Sequence, residues 1–432
     1  MSSRKGYILA TVLVLVAALM IIVASLSYLL LNQKIITRKN EEKVTNLQIA
    51  EAGVNYYLWH LAHDPEDYTD GTGLPGPYTH EYKNNLGQIV GSYSLTITPP
   101  GEFESYVKVA ASGKLSSSNE TKTVEATLGI PSFSQFAWLI NQRSRFGATS
   151  ETLGLVHCNA DIEFDGHAHK LVSSANANPG VWGSGTFDEG VSFPVPAIDF
   201  QQVSADLSDL KTQATAEGKY IATKSGTNTR RNGYRIVFHA GGYDLYQVNT
   251  ESRTGGITNQ AFLGSYNAPH NGIIFVEDDL WLEGTYDSRL TVAAAYFPDN
   301  AGTRPNITIV NNLLYTTKDG SVSLGLVSQG HIWEAYYCPN NLEIDAAVLA
   351  QNGCFGYDFA NGSSGVAKGT LTTYGSTTSY LSTANSNPIC AQQYGNAGFH
   401  VRNYSYDSHL FFSPPPSFPT TGKYTILSWR EK

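Results

Sequence analysis

Residues Tyr7 to Leu31, YILATVLVLVAALMIIVASLSYLLL, carry no charge and no proline. Wound as a helix, those 25 positions extend about 38 Å. A bilayer's hydrocarbon core needs roughly 30 Å. A cleavable secretory signal has a shorter apolar region followed by a small-residue cleavage site. Here Tyr28-Leu29-Leu30-Leu31 runs straight into Asn32, so the segment is expected to be kept. Arg4 and Lys5 in front hold that end in the cytoplasm by the positive-inside bias, and Lys34, Arg38 and Lys39 behind weaken the asymmetry.

The helical pattern continues past the apolar run. Val44, Leu47, Val54, Leu58 and Leu61 recur at three-and-four spacing, with Glu51 interrupting the stripe, and no proline occurs before Pro65. This predicts one helix over 7–62, on the order of 80 Å long. Its first half would sit in lipid or against other helices, and its second half would show an apolar stripe to a soluble domain. Gly53 is its weak point, at about 1 kcal/mol relative to Ala in an exposed helix.

A short basic leader, Gly6, an aromatic residue and then a long apolar helix resemble a type IV prepilin. The run Ala50-Glu51-Ala52-Gly53 within QIAEAGVNYYLWHL resembles the AEAG segment of minor pilins of the PilX type. The resemblance implies a leader over 1–6, cut by a prepilin peptidase between Gly6 and Tyr7. Tyr7 would then become the N-methylated first residue. Major pilins usually carry Glu at the fifth mature position, where it neutralises a neighbour's amino terminus. The matching residue here is Thr11. A buried, unpaired ammonium costs several kcal/mol, so Thr11 favours a minor or tip subunit, which needs no such contact. The implied partners are other pilin subunits, the pilus assembly machinery, the peptidase and the membrane.

After the turn-rich stretch 64–87, GSYSLTITP, ESYVKVAASGKL and TKTVEATLGI alternate apolar and polar residues. They predict a small antiparallel sheet on the exposed part of the helix, within 63–130. From 131 to 410 the strands are short and punctuated by Gly and Asn. LGLVHCNADIEFDG at 153–166 parallels LGLVSQGHIWEA at 324–335. Pairs such as Ile273 and Phe275, Leu280 and Leu282, Ile307 and Ile309, and Leu342 and Ile344 alternate as inward aliphatics. The fold class expected is α+β: a pilin-type helix with a small sheet, then a mainly β domain built as a right-handed parallel β-solenoid. A β-sandwich is the competing arrangement. Phe200, Val203, Leu207 and Leu210 predict an amphipathic helix near 199–217, with Asp199 as its N-cap. The β body resembles a group of bacterial proteins that join a pilin-like amino terminus to a large β-rich domain. In 411–432, Pro414-Pro415-Pro416 suggests a stiff strap that Trp429 pins to the body.

The chemistry-bearing residues are few. Of four cysteines, Cys354 and Cys390 share the last loop-rich segment and are the favoured disulfide, with free buried thiols as the alternative. His157, Asp161, Asp165, His167 and His169 fall within thirteen residues, and His167 and His169 project to one side of a strand. Gly166 argues for a turn there, and isolated His-x-His is a weak signal, so the expectation is polar residues at a coil edge, with no metal and no cofactor. Glu277, Asp278, Asp279, Glu283 and Asp287 are the candidates for glycosidase acids. Adjacent residues on a strand face opposite ways, so Asp278 and Asp279 cannot form the required pair.

Net charge is -9, with no basic block after the first 43 residues, which argues against nucleic acid as a partner. No nucleotide-binding or hydrolase fingerprint occurs. The function expected is a non-enzymatic minor or tip pilin-like subunit. It would be single-pass in the cytoplasmic membrane before assembly and on the cell surface after it, displaying a β domain for assembly, adhesion or contact with a surface or glycan ligand. The alternative is a membrane-tethered carbohydrate-active β-helix protein.

Overall fold

The computed structural model describes residues 5–101, 104–224, 232–359, 365–382 and 390–432. Residues 1–4 of the expected leader lie outside them. The chain forms two units. One comprises 1–100, 106–129 and 424–432, and the other 101–105 and 130–423.

In the first unit a single helix, α1, runs unbroken from Lys5 to His63. Its second half packs on an antiparallel meander of β1 (Tyr78–Lys83), β2 (Ile89–Thr98), β3 (Tyr106–Leu115) and β4 (Lys122–Gly129). The buried helix stripe is Ile49, Ala50, Val54, Tyr57 and Leu61, which meets Leu95, Val107, Val109, Ala111, Val124 and Leu128. Leu47 and Leu58 lie at the edge of this cluster, while Val44 is exposed. The stripe thus starts later than the apolar spacing suggested, because the sheet reaches only as far up the helix as Asn46. Gly53 is buried rather than exposed: a Cβ there would stand 2.9 Å from the Tyr93 ring.

Two strands lie where the sequence reading placed none. β1, YTHEYK, falls in the stretch read as turns. The C-terminal strand Thr425–Glu431 pairs antiparallel with β4 and makes the sheet five-stranded. The expected C-terminal strap therefore divides. Residues 413–420 lie on the second unit, whereas Trp429 sits on the edge strand of the first, opposite Ala126 and half exposed.

The second unit is mainly β, with extensive parallel pairing. In one ladder Lys219–Ile221, Ile273–Val276, Arg289–Ala294, Ser323–Ser328 and the end of Leu342–Ala350 follow one another in parallel. The end of Ala367–Ser379 comes next. That strand pairs with Phe136–Ile140, followed outward by Leu155–Cys158, Val172–Ser174 and Val191–Ser192. The chain thus enters the ladder in its middle, builds to one edge, then restarts at the other edge and builds back. The two LGLV copies both contribute strands to this ladder. A second parallel ladder runs through Gly233–His239, Asp279–Tyr286, Ile307–Tyr315, Ile332–Glu334 and Phe355–Tyr357.

About half of the return between edges is made by α2, Gln202–Ala216. Its length, about 22 Å, matches roughly five strands at 4.8 Å spacing. Phe200, Val203, Leu207, Leu210 and Ala214 cover Ile273, Phe275, Ala293, Val327, Ala347 and Leu349. Ile273 and Phe275 therefore face outward beneath α2, not inward as their alternation suggested. Ile274 and Val276 take the interior positions beside Leu280, Leu282, Ile307, Ile309, Leu342 and Ile344. A strand covered on both faces reads as a continuous apolar run, and alternation cannot tell its two sides apart. Asp199 is not the N-cap. The cap position is Gln201, with no side-chain cap bond, and Asp199 accepts from the Gln201 amide at 2.8 Å in the preceding turn.

The segment 413–420 runs beside α2. Arg289 donates to the carbonyls of Ser413 (2.9 Å) and Pro414 (2.6 Å), and Thr291 donates to Pro416 (2.5 Å). The Thr420 amide donates to Asp206 of α2 at 3.1 Å.

Candidate functional site

From Tyr7 to Leu31 every side chain of α1 is exposed, and this stretch is long and apolar enough to cross a membrane. A helix apolar on all sides is stable only in lipid or against other apolar helices. Its hydroxyls at Thr11 and Ser25 are turned back on the helix: Thr11 Oγ1 donates to the Tyr7 carbonyl at 2.6 Å and Ser25 Oγ to the Ile21 carbonyl at 2.8 Å. That leaves these polar groups satisfied without a partner outside the helix. No acidic residue precedes Glu41. Gly6 and Tyr7 lie in the first turns of α1.

The helix is fixed to its sheet by a residue that the sequence reading passed over. Asn46 is fully buried. Its Oδ1 accepts from the Leu115 amide at 2.7 Å, and its Nδ2 donates to the Glu120 carbonyl at 2.9 Å and to Ser118 Oγ at 3.3 Å. One side chain thus ties α1 to both ends of the β3–β4 turn. Past the helix, Asp67 accepts from the Thr69 hydroxyl at 2.6 Å, the Thr69 amide at 2.7 Å and His60 Nε2 at 2.9 Å. The Thr69 hydroxyl leads the effects that hold this carboxyl down at about 2.

In the second unit the candidate carboxylates all have structural work. Glu277 pairs with Lys211 and accepts from the Tyr220 hydroxyl. Asp278 accepts from the amides of Lys224 and Asp279, and burial raises it to about 6. Asp279 accepts from the Asn306 amide at 2.7 Å, Glu283 pairs with Arg235, and Asp287 holds the Gly241 amide at 2.9 Å. Cys354 and Cys390 form a disulfide, and Cys158 and Cys338 are free and buried.

The histidine-rich stretch separates. His157 is buried, bonded to Ser173 and Asn159, and its pKa is lowered by that burial. Asp161 pairs with Arg143 at 3.3 Å, and Asp165 holds the Ser184 amide at 3.0 Å. His167 and His169 stay together, their rings 4.2 Å apart. They meet Glu151 and Asp188, two residues the sequence reading did not connect with them. The missed signal was repeat spacing: 151, 167 and 186 occupy matching places on three successive parallel strands, with His169 and Asp188 two residues further along.

Beside Glu151 opens a cleft of about 1000 Å³, lined among others by Trp138, Arg145, Tyr394, His400, Arg402 and Tyr404.

No protein-family model matches the chain, and no curated protein does. Among solved structures, the chain is similar to the competence-associated pilin ComZ from Thermus thermophilus. The identity is 14%, the TM-score is 0.32, and the match covers 91% of this chain and 98% of that one.

Proposed function

We propose that this chain is a minor or tip-located subunit of a type IV pilus-like filament. The observation that carries this reading is α1 itself. It is one unbroken helix, apolar and uncovered on all sides over Tyr7–Leu31, then sealed against an antiparallel sheet from Asn46 onward. Such a helix can leave lipid for a bundle of similar helices at little solvation cost, because both surroundings are apolar and packing decides between them. In this reading the amino terminus starts in the cytoplasm, the prepilin peptidase cuts between Gly6 and Tyr7, and the new terminus is methylated. Thr11, its hydroxyl bonded within its own helix, offers no carboxylate to a neighbour's terminus. This suits a subunit at the end of a filament.

The second unit is read as a β-solenoid displayed for contact with a surface or a glycan. The stacking of parallel strands supports the first part. The aromatic and cationic lining of the cleft supports the second, since sugars are held by ring faces and polar side chains together. The unit is read as non-enzymatic because each candidate carboxylate is engaged by an amide, a cation or a hydroxyl.

Mass spectrometry of the native amino terminus tests the proposal. N-methylated Tyr7 is expected. A terminus at Met1, or one beyond Leu31, overturns it.

A further inference from the structure

We propose that Glu151, His167 and His169 bind a divalent transition-metal ion, with Asp188 positioning His169. This site does not depend on the role of α1. The strands Glu151–Thr152, His167–Ala168 and Thr186–Phe187 lie side by side in parallel, with His167 opposite both Glu151 and Thr186. Ala168 points inward and is fully buried, so its neighbours His167 and His169 both project outward. One ligand atom from each of Glu151, His167 and His169 can be chosen so that all lie within 4.8 Å of one another. Ligands around a four-coordinate ion with bonds near 2.1 Å sit roughly 3.4 Å apart, so only small side-chain rotations are needed.

The partners fit that chemistry. His169 Nε2 faces Glu151 Oε1 at 2.8 Å, and its Nδ1 faces Asp188 Oδ2 at 2.9 Å. A carboxylate on the far nitrogen of a metal-bound imidazole fixes its tautomer and orientation. His167 Nε2 meets the other Asp188 oxygen at 2.9 Å. Two neutral imidazoles and two carboxylates balance the charge of one divalent cation. Imidazole donors select zinc, copper, nickel or cobalt over calcium and magnesium, which prefer oxygen alone. Glu151 and His167 lie in the paired strands, and the amides of His169 and Asp188 donate to the Thr152 and Ala168 carbonyls, so the backbone holds all four in register without any ion and little ordering is left to binding.

The test uses full-length, tag-free protein in detergent, stripped with a chelator and titrated with Co²⁺, then with Zn²⁺ as competitor. One equivalent of Co²⁺ should develop a visible ligand-field band that Zn²⁺ abolishes. The H167A/H169A double variant should lose the band. Asp188→Asn should weaken binding by about 10- to 100-fold while keeping one equivalent. His239→Ala, a histidine elsewhere in the unit, should bind as the parent does. All four substituted residues are at least partly solvent-exposed, and circular dichroism checks that each variant folds. Absence of a saturable band in the parent, or its survival in the folded double variant, overturns the site.

Discussion

Substituting Gly113 should separate α1 from its sheet, and the cost follows from what surrounds that position. A Cβ on Gly113 would stand 2.3 Å from the Ala50 amide nitrogen and 2.3 Å from the Asn46 carbonyl oxygen. Both are helix backbone, so neither can swing aside. Relieving the overlap requires the helix to retreat by about 1 Å, and overpacking of this kind costs about 1–3 kcal/mol, sometimes more. The retreat also strains the Asn46 bonds to Leu115 and Glu120, which are made across the same interface. Leaving one buried partner unsatisfied adds about 1–3 kcal/mol. Gly113→Ala should therefore destabilise the first unit by about 2–6 kcal/mol. Gly53→Ala is the control. Its Cβ would meet the Tyr93 ring at 2.9 Å and a Leu95 methyl at 3.2 Å. Those are side-chain atoms that can shift, and the helix regains about 1 kcal/mol of propensity. The net effect should lie within about 1 kcal/mol of the parent. Amide hydrogen exchange of peptides spanning 106–129, on the full chain in detergent, reads the local opening free energy directly. Equal protection in Gly113→Ala and the parent, or equal losses in the two variants, would refute the reasoning.

Two further outcomes are expected. Glu334 is fully buried, and that burial pushes its carboxyl up to about 8 from its ordinary 4.5. Between those values the native state keeps a proton that the unfolded chain releases, so stability falls as pH rises through this window. Glu334→Gln removes that loss and should gain up to about 3 kcal/mol at pH 7, shrinking toward zero near pH 4.5. Denaturant unfolding at both pH values checks it, and a gain that does not change with pH would contradict the assignment. Thr11→Glu restores the carboxylate usual in main pilus subunits, and on the proposed function it should shift labelled protein from filament ends to positions along the shaft. Immunogold counts that leave the distribution unchanged would count against the end-located reading.

What the sequence made legible was governed by local periodicity. The uncharged run and the absence of proline before Pro65 were enough for α1, because a helix writes its own pattern. The apolar positions of α2 were legible for the same reason. What stayed hidden depended on residues far apart in the chain. β1 turns only the half-buried Tyr78, His80 and Tyr82 toward the core, and Thr425–Glu431 is an exposed edge strand, so neither carries a fully buried aliphatic stripe to announce it. Asn46 looks like a poor helix former until the β3–β4 turn closes on it. Glu151 and Asp188 join His167 and His169 only because parallel pairing brings residues sixteen to twenty-one positions apart side by side.

The position of the second unit within the chain bears on how a filament subunit could carry it. In the first unit β4 ends at Gly129, and Gly129 is paired with Thr425 of the C-terminal strand. The five strands are therefore an antiparallel meander in spatial order, and residues 130–423 replace what would otherwise be a hairpin turn between the last two. In the second unit the entering and leaving segments are held to each other. The Thr421 amide donates to the Pro131 carbonyl at 2.8 Å, and the Phe133 amide donates to the Pro419 carbonyl at 3.0 Å. Both ends of the insertion are thus paired, Gly129 with Thr425 in the first unit and Pro131 with Thr421 in the second, and both ladder edges are built from interior segments. A domain inserted in this way can vary without altering the helix–sheet contact, because its entry and exit are already paired on both sides of the insertion.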